Sequence, residues 1–111
     1  MSPHEKRAST RYEVVIAMTV IRDGDSNPAR MVNLSHGGAL VQAALEPPLE
    51  VGQRIEISFP LPDLDKPLHA KAVVRWEGDP NQSEFGIQFV TGFRAKEMWA
   101  LGRFLERQTP L

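Results

Sequence analysis

Apolar and polar residues alternate along much of this chain, and the alternation predicts β-strands. The clearest case is RIEISF, residues 54–59, in which every second residue is apolar. The same two-residue period runs through residues 68–76, and FGIQFV at residues 85–90 brings the chain back after the turn sequence EGDPNQ. Successive side chains of a strand point to opposite faces, so these segments are expected to bury one face and expose the other.

The first predicted strand, Tyr12 to Ile21, differs because almost every position in it is apolar or β-branched. A strand with apolar residues on both faces is typical of a strand that is covered on both sides. The sequence RDGDSNPAR follows, and its DG and NP dipeptides together predict the turn that ends this strand. MVNLS and GALVQA are then predicted as two short strands joined by a tight corner.

Only the end of the chain has a helical period. Between Arg94 and Arg107, the residues Met98, Leu101 and Leu105 fall on one stripe of a helix. The whole pattern is therefore about six short strands followed by one helix. It predicts a mainly β domain, a small six-stranded antiparallel β-barrel with a C-terminal α-helix at about residues 94–107.

Length and composition fit a single domain. A chain of 111 residues has room for one modest core. We expect a basic arm at residues 1–11 and one barrel domain at residues 12–107. The chain has no cysteine, no run of about 20 apolar residues and no signal-peptide pattern, so we expect a cytoplasmic protein that does not insert into a membrane.

The charge is small but unevenly placed. The net charge is -1, which argues against a DNA-binding protein with a broad basic face. Residues 1–11 nevertheless carry a local charge of +2, from Lys6, Arg7 and Arg11 against Glu5. A small anion met at this arm is therefore the expected partner.

Two short motifs stand out. Arg7 and Arg11 lie four residues apart in the basic arm, and Asn33, Ser35 and Gly38 lie at the predicted corner between two strands. A pair of short polar side chains beside a glycine turn presents hydrogen-bonding groups next to exposed backbone. Neither motif is specific by itself, because short patterns recur by chance.

The chain contains a second copy of each motif. Arg103 and Arg107 repeat the arginine spacing on the predicted helix, where they indicate a solvated helix face. Asn81, Ser83 and Gly86 repeat the other spacing in the hairpin after the fifth strand, where Asn and Ser are ordinary turn residues. The order of the motifs along the chain therefore carries more weight than either spacing.

That order is a basic arm with the arginine pair, a first strand, Asn33-x-Ser35-x-x-Gly38, further strands and a helix. It resembles the PilZ domain family, bacterial receptors for the second messenger cyclic di-GMP. The resemblance extends from about Glu5 to Leu105 and includes AKAVVRW…FGIQF as the last hairpin. It implies a PilZ-like split barrel whose arm closes over the ligand, with cyclic di-GMP bound by Arg7, Arg11, Asn33, Ser35 and Gly38.

The chemistry of these residues suits that ligand. A guanidinium can bond guanine O6 and N7 with two parallel N–H groups, clamp a phosphate, or lie flat on a purine. A lysine could supply only the charge. An asparagine offers donors and acceptors to a base edge, a serine adds a hydroxyl, and the glycine permits the corner.

Four further residues are candidates for the ligand site. The resemblance gives Lys6 an influence on whether one ligand or a stacked pair binds. His36 and Gly37 lie inside the corner, and His36 is expected to be an exposed loop histidine because no metal-binding spacing surrounds it. Trp76 has two interpretations that the sequence leaves open: a core residue on the same face as Val74, or an indole that stacks on a guanine.

The leading hypothesis is a non-enzymatic cyclic di-GMP receptor with no metal and no cofactor, acting on an unidentified protein partner as a monomer or a ligand-linked dimer. The alternative is an adaptor of the same fold that binds no ligand and acts by protein contacts, related to type IV pili. A single-stranded nucleic-acid-binding barrel is disfavoured by the near-neutral charge and by the lack of outward aromatic clusters.

Overall fold

The computed structural model describes residues 10–90 and 92–111. Within them the chain forms seven strands and one α-helix. Their bounds are β1 Tyr12–Arg22, β2 Asp25–Leu34, β3 Gly38–Gln42, β4 Arg54–Phe59, β5 Leu68–Glu77, β6 Glu84–Phe89, α1 Ala95–Glu106 and β7 Thr109–Pro110. The predicted arm falls, apart from its last two residues, outside the described residues.

Six of the strands close into a barrel. Each strand pairs antiparallel with its neighbours in the order β1-β2-β3-β6-β5-β4, and β4 pairs with β1 to complete the circle. The prediction of a six-stranded antiparallel barrel with a helix near the C-terminus is confirmed.

A short seventh strand was missed by the sequence analysis. β7 pairs with the start of β1, Tyr12 opposite Pro110 and Glu13 opposite Thr109. The backbone N–H of Leu111 donates to the carbonyl of Arg11 at 2.9 Å. Two exposed residues that include a proline carry no alternation, so nothing in the pattern predicts a strand there.

The first strand corrects the expectation of cover on both sides. Its inward residues Val14, Ile16, Met18 and Val20 are buried, but Val15 on the other face is 79% exposed. A closed barrel has only one interior, and an outward apolar side chain gains cover only if another element packs over it. β1 is therefore a one-sided strand despite its composition.

The turn after β1 is also shorter than predicted. Asp23 and Gly24 alone form it, both with positive φ, as a two-residue hairpin turn requires. The predicted turn dipeptide Asn27-Pro28 lies inside β2. Pro28 is accommodated because β3 pairs with β2 only from Arg30 onward, which leaves this part of β2 with one neighbouring strand.

The helix packs on the core through Ala100, Leu101 and Leu105, all at most 1% exposed. Met98, which was predicted on the same stripe, is 52% exposed instead. A helical period indicates which side of the helix faces the core. It does not indicate how far along the helix the core extends, and Met98 lies beyond the covered part. In the described part of the chain, no helix has the length and apolar character needed to cross a membrane.

Candidate ligand-binding site

The corner between β2 and β3 is built around the hydroxyl of Ser35. This side chain is 3% exposed, and its Oγ accepts hydrogen bonds from the backbone N–H groups of Gly37 at 3.1 Å and Gly38 at 3.2 Å. The backbone N–H of Ser35 donates to the carbonyl of Gly38 at 2.9 Å. Ser35 therefore shapes the corner, and its hydroxyl is already engaged by the backbone.

Gly38 is required because β3 runs close to β6. A Cβ atom on Gly38 would lie 2.2 Å from the carbonyl oxygen of Ile87. The neighbouring Gly37 carbonyl accepts a hydrogen bond from the backbone N–H of Phe89 at 2.9 Å. The corner is thus fixed to β6 as well as to itself.

Arg11 and Asn33 meet although they are 22 residues apart. Asn33 lies at the end of β2, opposite Glu13 of β1. A terminal nitrogen of the Arg11 guanidinium donates to Asn33 Oδ1 at 2.9 Å. The second arginine of the basic motif is therefore joined to the first residue of the corner motif.

Trp76 is not a core residue, so that interpretation is wrong. It is 37% exposed, and the Arg11 Cζ atom lies 4.9 Å from the centroid of its ring. A register shift between Val74 and Trp76 pairs Val74 with Ile87 and Trp76 with Gly86. This bulge turns Trp76 to the outside, and a Cβ on Gly86 would lie 1.8 Å from the indole.

Arg11, Trp76 and part of the corner line a cavity of about 220 Å³, which we call the Trp76 cavity, whereas Asn33 does not line it. Its lining residues are Arg11, Ser35, Gly37, Gly38, Arg75, Trp76, Ile87 and Gln88. Two of them are arginines, and none of these described lining residues is a carboxylate. A cavity with this lining is suited to an anion that also carries flat rings.

Two residues of the cavity were missed by the sequence analysis. Neither Arg75 nor Gln88 was among the candidate site residues. The Arg75 Nε donates to Gln88 Oε1 at 2.6 Å across the β5–β6 pair. Strict alternation would place Arg75 and Trp76 on opposite faces of β5. The bulge places both on the outer face, and the sequence pattern does not show it.

His36 lies outside the Trp76 cavity, and two further candidate residues lie outside the described part of the chain. His36 is exposed and does not line the cavity, although its Nε2 lies 3.8 Å from where a Cβ on Gly102 of α1 would be. Lys6 and Arg7 are outside the described residues. No group of three histidine, aspartate or glutamate side chains that could hold a metal occurs within residues 10–90 and 92–111.

The second copy of the corner motif forms a hairpin turn, as expected. Asp79 Oδ1 accepts from the backbone N–H of Asn81 at 2.9 Å, and Ser83 adopts a left-handed conformation with φ of 51°. Its third member, Gly86, has a separate role, because the Trp76 ring lies directly on it.

The sequence matches a known protein family, and the fold is similar to that of solved structures. The sequence model of the PilZ domain family matches residues 5–107 of this chain. No curated protein sequence matches. The inhibitor of motility from Bacillus subtilis, MotI/DgrA, has a similar structure, with 20% identity and a TM-score of 0.74. The match covers 96% of this chain but 56% of MotI/DgrA.

A second similar structure is the PilZ domain of YcgR from Escherichia coli, determined with c-di-GMP. It shares 17% identity with this chain at a TM-score of 0.66, and the match covers 92% of each chain. At these identities the two structures show a common fold, whereas the family model covers nearly the whole sequence. This chain belongs to the PilZ domain family, a family of cyclic di-GMP receptors.

Proposed function

We propose that this domain binds cyclic di-GMP in the Trp76 cavity and passes the resulting change to a separate protein in the cytoplasm. The observation that carries the proposal is the position of Arg11, whose guanidinium lies over the Trp76 ring and bonds to Asn33 beside the glycine corner. It unites a cation, an aromatic face and a polar corner from three separate segments of the chain.

The chemistry of the cavity supports this ligand. One face of the Trp76 ring lies on Gly86 and Arg11 lies over the other. A guanine would take the place of the Arg11 guanidinium on the ring, a stacking contact worth about 1–3 kcal/mol per base. Arg11 supplies N–H donors and positive charge for a phosphate or for guanine O6 and N7. Asn33 holds the Arg11 guanidinium by a hydrogen bond. Ser35 acts by holding the backbone of the corner in shape.

Arg7 adds a second guanidinium four residues before Arg11. We infer that the arm carrying Arg7 closes over the bound dinucleotide. Holding chain in one conformation costs about 1–2 kcal/mol per residue, and the contacts of Arg7 with the ligand offset that cost. Ligand-dependent closure of the arm is then the change that a partner protein detects.

The proposal predicts saturable binding in a calorimetric titration with cyclic di-GMP. Arg7→Ala and Arg11→Ala are each expected to weaken binding by about tenfold or more, because each removes a charged bidentate donor. The matched controls are Arg107→Ala, from the second arginine pair, and Ser83→Ala, from the second corner motif. Both controls are expected to bind like the unaltered protein, and GMP serves as a control ligand.

The same titration gives the number of ligands per chain, which separates a monomer with one ligand from a dimer joined by a stacked pair. A folded protein that releases no heat at high ligand concentration would contradict the receptor. That result would favour the adaptor of the same fold, and circular dichroism of each variant shows whether it is folded.

A further inference from the structure

We propose that Arg75, held in place by Gln88, recognises the edge of a guanine stacked on Trp76 and so determines the preference for that base. The inference rests on the proposed function, because it assigns residues to the same ligand in the same cavity. Neither residue belongs to the arginine motif or to the corner motif.

The bulge in β5 brings Arg75 to the cavity. Val74 is opposite Ile87 and Trp76 is opposite Gly86, so Arg75 is the extra residue of the shifted register. Val74 is fully buried, whereas Arg75 and Trp76 are both exposed. An arginine and a tryptophan thus lie side by side on the outer surface of one strand.

Gln88 holds the Arg75 guanidinium in place. The Arg75 Nε donates to Gln88 Oε1 at 2.6 Å, and neither Nη nitrogen takes part in this bond. Gln88 lies two residues from Gly86, the residue beneath the Trp76 ring, a separation of about 6.8 Å along a strand. A base that displaced the Arg11 guanidinium from the Trp76 ring would therefore have its edge near the Arg75–Gln88 pair.

The corner keeps the space beside this pair open. Gly38 is directly opposite Gln88 on the β3 side and carries no side chain. Arg11 lies over the Trp76 ring, while Arg75 follows from the adjacent position of the strand. The two arginines can therefore contact different parts of one ligand.

Guanine is the base that matches a guanidinium. It presents two acceptors, O6 and N7, on one edge, and an arginine can bond both with parallel N–H groups. Adenine presents an amino donor in place of O6, which would face the guanidinium donors without a bond. Arg75 would accordingly favour guanine over adenine, whereas a simple charge contact to phosphate would not.

The test is a titration of the full chain with cyclic di-GMP and with its adenine analogue, cyclic di-AMP, using Arg75→Ala, Arg75→Lys and Gln88→Ala. The matched control is Arg30→Ala, because Arg30 makes an equivalent cross-strand pair with Gln42 at 2.8 Å between β2 and β3. We expect Arg75→Ala to weaken binding about tenfold or more, and Arg75→Lys to restore little of it. Gln88→Ala is expected to cause a smaller loss, and Arg30→Ala none.

Three results would overturn the inference, the first being an Arg75→Ala variant that keeps the same preference for cyclic di-GMP over cyclic di-AMP. Unchanged affinity in Arg75→Ala, with the unaltered protein binding normally, would show that Arg75 does not contact the ligand. Recovery to normal affinity in Arg75→Lys would show a charge contact rather than recognition of the guanine edge. If the unaltered, folded protein did not bind cyclic di-GMP, the proposed function itself would fail. This result differs from those above, in which the unaltered protein binds normally. Thermal unfolding of every variant excludes a loss of fold as the cause.

Discussion

Gly38 and Gly86 lie on neighbouring strands of the barrel wall, and each is needed for a different reason. Gly38 permits the close approach of β3 to a backbone carbonyl of β6, at a distance where no Cβ fits. Gly86 instead makes room for the Trp76 ring, a side chain that can move. The first glycine supports the fold, and the second positions the surface on which we expect the ligand to stack.

This difference predicts two separable phenotypes. Gly38→Ala is expected to lower the free energy of unfolding by about 1–3 kcal/mol, the usual cost of overpacking. Gly86→Ala is expected to displace the indole and weaken cyclic di-GMP binding about tenfold, with a smaller effect on stability. Thermal unfolding and calorimetry measure the two effects, and Gly92→Ala is the control because its Cβ would meet nothing within 4 Å. Equal loss of stability in both variants would contradict this assignment.

Among individual residues, the sequence predicted part of the candidate site. Arg11 and Asn33 were identified from the motifs, and the structure joins them by a hydrogen bond. The exposure of Trp76 and the presence of Arg75 in the cavity could not be predicted, because both depend on one extra residue in β5. A bulge has no hydrophobic signature, and it exchanges the inside and outside assignment of every residue after it.

Among the elements, β7 is the one that connects the C-terminal helix to the candidate site. It follows α1 by two residues and pairs with the first residues of β1, immediately after Arg11. The Leu111 N–H to Arg11 carbonyl bond fixes the backbone of the arginine whose side chain lies over Trp76. The end of the chain thus supports the residue that carries the proposed function.

Deletion of residues 109–111 is therefore expected to loosen the start of β1. We expect faster amide hydrogen exchange in residues 11–13 and a several-fold loss of affinity for cyclic di-GMP, with the rest of the barrel protected as before. Leu111→Ala is the matched control, because it keeps the backbone bond and alters a side chain that is 68% exposed. Unchanged exchange at the start of β1 in the deletion variant would show that β7 does not hold it.

The sequence was informative about elements with a strong period and uninformative about the others. β4, β5 and β6 alternate clearly and were predicted within a few residues. β2 was predicted too short, because Asn27 and Pro28 resemble a turn and only the pairing with β1 keeps them in a strand. β7 depends entirely on a long-range pairing, for which two residues carry no signal.

For the whole molecule, the distribution of charge determines where an anionic ligand is attracted. The net charge is -1, yet the Trp76 cavity is lined by two arginines, and the basic arm adds further positive charge before it. A ligand with two phosphates would therefore be attracted to one side of an otherwise nearly neutral protein. Binding of such a ligand to the folded state alone must also stabilise the fold.

Saturation with cyclic di-GMP is accordingly expected to raise the melting temperature. A ligand at 100 times its Kd adds about 2.7 kcal/mol of stability, which corresponds to roughly 10 °C for a domain of this size. Differential scanning fluorimetry with and without ligand measures the shift. Arg11→Ala should abolish most of it while Arg107→Ala retains it, and a shift of equal size in both variants would place the ligand elsewhere.

The pairing of β7 with β1 has a practical consequence for protein engineering. Because the backbone of residue 111 bonds to the backbone of residue 11, the two ends of the barrel emerge side by side. With residues 1–10 kept as part of the N-terminal linker, so that Arg7 is retained, the barrel could be inserted through these ends into a surface loop of a fluorescent host without forcing that loop apart. The host would then be joined to β1 and β7, the two strands whose pairing supports Arg11. We therefore expect binding of a ligand in the Trp76 cavity to change the fluorescence of the host.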